Sequence, residues 1–343
     1  MKEILEISSG KYIVRQAGLE DIEKIHQVEE KKSLHYHGVP GFSLELLQNY
    51  YREPGFDIKK SIHLVEDQDG KLVAHVEVWD DADPPVLPYI WLAVDPDYEN
   101  QGLESYLLDW AEKRSLEALE RVDPDVRVAM RSHSAHVIES SRKTKLAAGM
   151  KQIRHSFRMR VEMDEQPPEP VWPEGITMRL YNPETDAYTV FEVDEEVFQD
   201  HFGFVKEAPE EAYKKFTHHM TKDESYDPGL WFLALDGEEI VGICLCRKYG
   251  LEDKEAGYIS SLGVKRPWRR KGIALALLQH AFGEFYKREK RKVDLGVDAE
   301  SLTGATDLYR KAGMFVLWQF DLYEKELRPG KDLSINELEL SEG

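Results

Sequence analysis

The chain reads as one pattern written twice, and that repetition limits the folds open to it. Near the start of each half a short apolar stretch ends in arginine, YIVRQA (12–17) and ITMRLY (176–181). Helical periodicity follows. Then come two apolar stretches joined by a tight turn, IHLVEDQDGKLVAHVEVW (62–79) and WFLALDGEEIVGICLCRKY (231–249), with Asp69-Gly70 and Asp236-Gly237 as hairpin signals. Each half continues with a strand, a polar loop, a glycine and an amphipathic helix. A further strand, a helix ending in Gly-Met and a last strand complete the unit. Val94 and Val264 lie 170 residues apart, as do Gly102 and Gly272. Hairpins alternating with helices predict a mixed α/β (α+β) fold in each half, a mostly antiparallel central sheet flanked by helices.

The stretch QPPEPVWPEG (166–175) holds four prolines and a glycine, a linker composition. It predicts domains over 1–165 and 176–328, with a polar tail at 329–343. A chain of 343 residues is long enough for two such domains. The formal net charge of −20 argues against nucleic-acid binding, because phosphate would be repelled. No apolar run approaches the length of a membrane span, and MKEILEISSGKYIV lacks the form of a secretion signal. A cytoplasmic protein without membrane attachment, monomer or homodimer, is expected. Cys244 and Cys246, the only two cysteines, alternate along an apolar run and are expected on one face of a strand as reduced core thiols. No metal site is expected: the His35 and His37 pair has no acidic or cysteine cluster beside it. Nucleotide-loop motifs of the GxxxxGK[ST] or GxGxxG kind are absent.

Against this acidic background KRPWRRKGIALALL (265–278) stands out, with five basic residues in its first seven. A strand, a basic loop and a glycine opening a helix form a physical recipe for an anion. The first helical turn has free N–H groups and the positive end of the dipole. Gly272 lets an anion approach the backbone, and the basic side chains add charge-assisted bonds. Taken alone, the loop is equally well a solvated basic turn.

The spacing Arg269-x-x-Gly272-x-Ala274, opening an apolar helix after Val264, resembles the acetyl-CoA signature of the GCN5-related N-acetyltransferases (GNAT). The downstream VDAESLTGATDLYRKAGM (297–314) resembles that family's second signature, with Leu308, Tyr309, Lys311 and Gly313 in place and Met314 for phenylalanine. FQDHFGF (198–204) and the duplication are similar to the tandem acetyltransferases, including the mycothiol synthase-like group. The resemblance implies an enzyme transferring acetyl from acetyl-CoA to a primary amine of a small molecule, by direct attack in a ternary complex. It implies that Leu262, Gly263 and Val264 bond pantetheine as an added strand would. It puts the pyrophosphate on the backbone around Arg269, Arg270, Lys271, Gly272, Ile273 and Ala274. Ser301 stands in the turn where many relatives carry asparagine. Tyr309 becomes the proton donor to the departing thiolate. Alternatives are a non-catalytic acyl-CoA sensing module and a transferase of another acyl group.

The general base departs from the family pattern. Many members carry a glutamate six residues before the Val264 position; here stands Tyr258, whose phenol is a poor base. Glu255, displaced along the strand, and Ser260, as holder of a relay water, are the expected substitutes. Asp298, Glu192, Asp194 and His201 remain open. The corresponding loop of the first half is DPDYENQGLE (95–104), with Glu99 at the Arg269 position and Glu104 at the Ala274 position. Two like charges a few ångströms apart repel by about 1 kcal/mol in water and roughly 4 kcal/mol at an effective dielectric of 20. Lys145 replaces Tyr309. The first half is therefore expected to be a copy that has lost acetyl-CoA binding; the rival reading is that Gly102 alone suffices, with Arg142, Lys143 and Lys145 supplying charge from the fourth helix. The overall acidity fits a cationic amine as acceptor.

Overall fold

The computed structural model describes residues 2–222, 224–250, 253–300 and 304–335. The chain forms two compact units: Met1–His155 with Gln319–Leu333, and Ser156–Trp318 with Ser334–Gly343. The boundary does not fall at the proline-rich stretch. Instead the last strand of each half lies in the sheet built by the other half. The stretch 166–175 itself belongs to the second unit, where Trp172 packs on the core.

In the first unit the strands are β1 (Glu3–Ile7), β2 (Gly10–Gln16), β3 (Ile62–Glu66), β4 (Leu72–Trp79), β5 (Tyr89–Val94) and β6 (Val128–Ala135). The final strand of the chain, β13 (Phe315–Arg328), pairs with β6 from Phe320↔Ala135 to Arg328↔Val128. Neighbours are antiparallel except β5 and β6, which run parallel and pair only at Tyr89↔Arg131 and Ile90↔Ser132. Helices α1 (Ile22–His37), α2 (Leu44–Tyr50) and α3 (Ile58–Ser61) precede β3, while α4 (Leu103–Ser115) and α5 (Glu139–Ala147) follow β5 and β6. Ile25 and Val28 of α1 fill one face of the sheet with Leu64 and Ala93. Leu103, Leu107, Leu108 and Ala111 of α4 fill the other with Val73, Val76 and Ile90.

The second unit repeats this plan. Its strands are β8 (Ile176–Leu180), β9 (Tyr226–Asp236), β10 (Glu239–Arg247), β11 (Ala256–Val264) and β12 (Lys292–Asp298), with β7 (Lys151–Glu162) paired to β12. Helices α6 (Ala187–Phe198) and α7 (Pro209–Thr221) cover one face; α8 (Ile273–Lys287) and α9 (Ala305–Lys311) cover the other. The apolar residues of α8 recur at helical spacing. Ile273, Ala276, Leu277, Ala281, Phe282 and Phe285 are all buried, each large side chain contributing about 1.5–3 kcal/mol. Arg15 near the end of β2 and Arg179 near the end of β8 do the same work. Arg15 clamps Asp21 through contacts of 2.7 and 2.6 Å, and Arg179 clamps Asp186 through contacts of 2.5 and 3.0 Å. Cys244 and Cys246 share one buried face of β10, their sulfurs 3.6 Å apart. No helix among the described residues is long and apolar enough to cross a membrane.

Buried ion pairs hold the two exchanged strands in register. Arg160 of β7 lies opposite Asp294 of β12 and grips it with two 2.7 Å bonds, with Asp253 2.8 Å away. Arg131 of β6 lies opposite Glu324 of β13 at 2.9 Å. A one-residue slip would turn these charges toward the opposite face, so each pair specifies its register. Replacing Arg160 with leucine strands Asp294 without its guanidinium and is expected to cost about 3–5 kcal/mol. The check is the urea midpoint of unfolding; a change worth less than about 1 kcal/mol would show that the pair does not hold β7.

Candidate active site

The site begins with a defect in β11. Leu245 of β10 pairs with Ser261 and Cys246 with Ile259, which leaves Ser260 as an extra residue in a β-bulge. At that point β11 leaves its parallel neighbour. The two strands pair from Ala256↔Lys292 to Ile259↔Leu295 and no further. The backbone from Ser260 to Val264 therefore has no strand neighbour on the gap side among the described residues, and its Val264 carbonyl accepts from Arg269 Nε. The bulge also resets the side-chain alternation. Ile259, Leu262 and Val264 pack toward α8. Ser260 and Ser261 turn instead to the α6 side, where Ser260 accepts a bond from Arg247 Nε at 3.1 Å and Ser261 meets Asp194. Gly263 allows α6 to lie directly on the strand; a Cβ there would collide with Val197.

The loop after β11 is a one-turn helix at Arg266–Trp268 followed by two residues of left-handed backbone, Arg270 (φ +64°) and Gly272 (φ +92°). Gly272 caps α8, and the amides of Ile273, Ala274 and Leu275 have no carbonyl inside the helix to bond. The basic side chains divide into two sets. Lys265 pairs with Glu239 at 3.0 Å and Glu196 at 3.4 Å. Arg266 and Arg269 both bind Asp200, and Arg269 also donates to the Val264 carbonyl at 2.9 Å. The Arg266 and Arg269 guanidiniums hold the Asp200 carboxyl below its ordinary range. These three cations anchor the loop to its surroundings. Arg270 and Lys271 are exposed beside the free amides and make no ion pair among the described residues.

Tyr309 sits on α9 in the same core cluster as Cys244, Ile259 and Val264. Burial, with smaller contributions from Cys244 and Tyr258, raises its phenol well above the ordinary value. Its hydroxyl has no hydrogen-bond partner among the described residues. Tyr258 faces away from α8; its hydroxyl accepts from Arg158 Nη1 at 2.6 Å, and the guanidinium lies over its ring. Arg158 comes from β7, the strand supplied by the other half, so nothing local in the sequence announces it. Burial lowers His201, with Asp298 partly opposing the shift. Glu255 is not brought to this cluster. It is exposed just before β11, its amide bonded to Asp253, about 30 Å of extended strand from Val264. Ser301 lies outside the described residues. Leu262, Gly263, Val264, Arg270, Lys271, Gly272, Ile273 and Ala274 do converge on the gap, with Ser260 and Tyr309 on its two sides.

The first unit has the same backbone with different contents. Asn100 (φ +60°) and Gly102 (φ +88°) repeat the left-handed pair, and β5 parts from β6 after Ile90. Unlike β11, β5 has no bulge; its pairing with β4 is continuous from Tyr89 to Val94. The gap remains as a cavity of about 280 Å³ lined by Leu92, Glu99, Gly102, Glu104 and Ser141. Side chains bridge it. Lys32 of α1 donates to the Leu92 carbonyl at 2.8 Å. The Tyr36 hydroxyl reaches both Glu99 oxygens at 2.6 and 2.7 Å, and Ser140 adds a third bond at 3.1 Å. Lys145, at the Tyr309 position, is fully buried against Ser141 (2.7 Å) and Glu104 (3.5 Å). Burial brings its ammonium down to about 8, with Glu104 partly opposing.

A sequence model of the acetyltransferase (GNAT) family matches this chain twice, over residues 25–137 and 188–314. Curated relatives include the mycothiol acetyltransferase of Streptomyces scabiei, 26% identical over 265 residues, covering 76% of this chain and 78% of that protein. The mycothiol acetyltransferase of Paenarthrobacter aurescens is 26% identical over 238 residues, 67% of this chain and 68% of its own length. Among solved structures, a GCN5-related N-acetyltransferase from Sphaerobacter thermophilus is 32% identical with a TM-score of 0.79, covering 96% of this chain and 99% of that one. A tandem GNAT protein from the clavulanic acid biosynthesis pathway shares the fold at 13% identity and a TM-score of 0.66, over 96% and 100% of the two chains. The chain thus belongs to the GNAT family of acetyltransferases and carries that family's fold twice.

Proposed function

We propose that the second unit transfers an acetyl group from acetyl-CoA to a primary amine of a small, cationic acceptor, in a ternary complex. The observation carrying this reading is the edge of β11 from Ser260 to Val264, without a strand neighbour on the gap side among the described residues, ending at an amide-lined helix start with two cations that make no ion pair among those residues. That combination fits the donor. Leu262 to Val264 offer backbone groups to an amide-containing arm in the manner of an added strand. The amides from Arg270 to Ala274, with the Arg270 and Lys271 side chains, suit a pyrophosphate. Because Lys265, Arg266 and Arg269 already have carboxylate partners, they keep the loop in shape, and its preorganised donors need no rearrangement when the anion arrives.

When bound, an acyl thioester supplies an activated carbonyl and a thiol leaving group. The chain supplies the rest. Tyr309 keeps its proton at neutral pH because burial disfavours the phenolate, which suits it to protonate a departing thiolate. Ser260, held by Arg247, presents its oxygen beside the gap and can position a water on the acceptor side. Burial and the neighbouring Glu207 raise Glu195, on the acceptor-side helix α6, so carboxyl groups rather than cations dominate that helix. This polarity favours an ammonium-bearing acceptor. The relatives' name makes a mycothiol precursor the first acceptor to try, ahead of polyamines and aminoglycosides. The two free buried thiols suit a reducing compartment such as the cytoplasm.

We read the first unit as closed to acyl-CoA. Lys32 occupies the strand edge at Leu92, and Glu99 and Glu104 bring negative charge to the helix start. Its Lys145 gives a stability signature. The folded value near 8 lies below the unfolded 10.5, so between these pH values the unfolded chain holds a proton that the folded chain has released. Stability relative to Lys145→Met is therefore expected to rise from pH 8 to 10.5, measured by urea unfolding across that range. A flat difference would show that Lys145 titrates normally.

The reaction itself is tested with Tyr309→Phe. The expected outcome is a fall of about 10²–10⁴ in kcat with acetyl-CoA affinity unchanged. A panel of acetyl, succinyl and malonyl donors then fixes the acyl group. Wild-type protein that binds acetyl-CoA yet acetylates neither a mycothiol precursor nor any polyamine or aminoglycoside tried would contradict the reading.

A further inference from the structure

The mechanism leaves the acceptor's proton without a destination, because Tyr258 replaces the expected carboxylate and Glu255 lies far along the strand. From the geometry of α6 on β11 we infer that Asp194 is the catalytic base that takes the proton from the acceptor amine. The inference rests on the acetyl-transfer reading above.

Asp194 points from the middle of α6 onto β11 at Ser261, one residue past the bulge where β11 leaves β12. One turn further along, Val197 packs on Gly263, so the helix is fixed over this part of the free edge. One carboxylate oxygen is held by the Ser261 hydroxyl. The other, Oδ1, is buried with no hydrogen-bond partner among the described residues. Native proteins seldom leave a buried carboxylate oxygen unsatisfied, and an oxygen kept bare beside a reaction gap is suited to receive a proton.

The duplication supplies a control. With Asp21 and Asp186 of the clamps aligned, Asp194 corresponds to Glu29 of α1; with Val94 and Val264 aligned, Ser261 corresponds to Trp91 of β5. In the first unit the same bond exists, Trp91 Nε1 to Glu29 at 2.6 Å, but the carboxylate also meets His75 Nε2 at 3.0 Å. His75 and its hydrogen bond hold Glu29 below the ordinary range despite full burial. In the second unit Ile243, by strand pairing, stands in place of His75, and serine in place of tryptophan. The imidazole and the indole that meet Glu29 are both gone, and burial pushes Asp194 up to about 7. Other charged and titratable groups on the elements packed around α6 are Glu239 and Arg247 on β10, Tyr258 on β11, and Glu210, Glu211, Tyr213, Lys214, Lys215, His218 and His219 on α7. Glu195, its neighbour on the helix, adds to the upward shift.

The step balances without a co-reactant. Asp194 accepts a proton from the amine nitrogen, whose lone pair forms the bond to the acyl carbon. The carbon–sulfur bond breaks, and Tyr309 gives its proton to the sulfur. Solvent then returns the proton held on Asp194 to Tyr309.

Asp194→Asn tests this with three readouts: calorimetry with acetyl-CoA, kcat/KM against pH for the fastest amine of a panel containing spermidine, glucosamine and kanamycin, and NMR titration of ¹³C-carboxyl-labelled aspartates. Expected are unchanged acetyl-CoA affinity, a 10²–10⁴-fold fall in kcat/KM at pH 7, and loss of the wild type's decline in kcat/KM below pH 7. One aspartate resonance titrating near 7 in wild type should vanish in the variant. Kinetics within fivefold of wild type with the acid limb retained, or an Asp194 resonance titrating in the ordinary carboxylate range, overturns the inference. Acetyl-CoA binding to neither protein overturns the acetyl-transfer reading itself, and the base assignment falls with it.

Discussion

The parting of β11 from β12 after Ile259 is the constraint on which the rest of the second unit depends. Two parallel neighbours that stay paired would leave no backbone for a ligand. The extra residue at Ser260 bends β11 away and puts two successive serines on one face. Gly263 then lets α6 settle on the strand, and Arg269 and Arg266 tie the following loop to Asp200 near the end of that helix. Strand edge, helix start and α6 are thus fixed by the same few residues, which a preorganised site requires.

The two units show how one backbone serves two ends. Loop dihedrals match at Asn100 and Arg270 and at Gly102 and Gly272. What differs is how polar groups are satisfied. In the first unit Lys32, Tyr36 and Ser140 reach across the gap, and buried Glu29 and Glu77 are engaged by His75, Tyr51 and two indoles. In the second, the groups that face the gap are left with capacity to spare. The exchange of last strands, locked by Arg160–Asp294 and Arg131–Glu324, makes each unit depend on sequence from both halves.

Much of this was legible in the residues. The Asp-Gly hairpins, the strand running into Gly272 and the helical spacing of α8 are local signals, and local signals survive in a sequence. So was the loss of basic residues in the first loop. Other features are decided by long-range pairing. That β7 joins β12 follows from a register set by buried charge, and no local pattern reveals it. Hence Arg158 beside Tyr258 came as new. The role of Arg269 changes for a similar reason: its partner, Asp200, lies 69 positions away. Glu255 looked close to the site in sequence and is remote because an extended strand gains over 3 Å per residue. Asp194 was one of several acidic residues on an early helix; the docking of α6 on Gly263 singles it out.

The central claim is that one unit binds acyl-CoA and the other does not. Calorimetric titration of acetyl-CoA into wild type, Gly272→Glu and Gly102→Glu tests it directly. Both glycines have the same left-handed backbone, so the two variants carry matched strain and differ only in which gap they block. The account predicts one site per chain, lost in Gly272→Glu and kept in Gly102→Glu. Two sites per chain, or a single site lost only in Gly102→Glu, would contradict it.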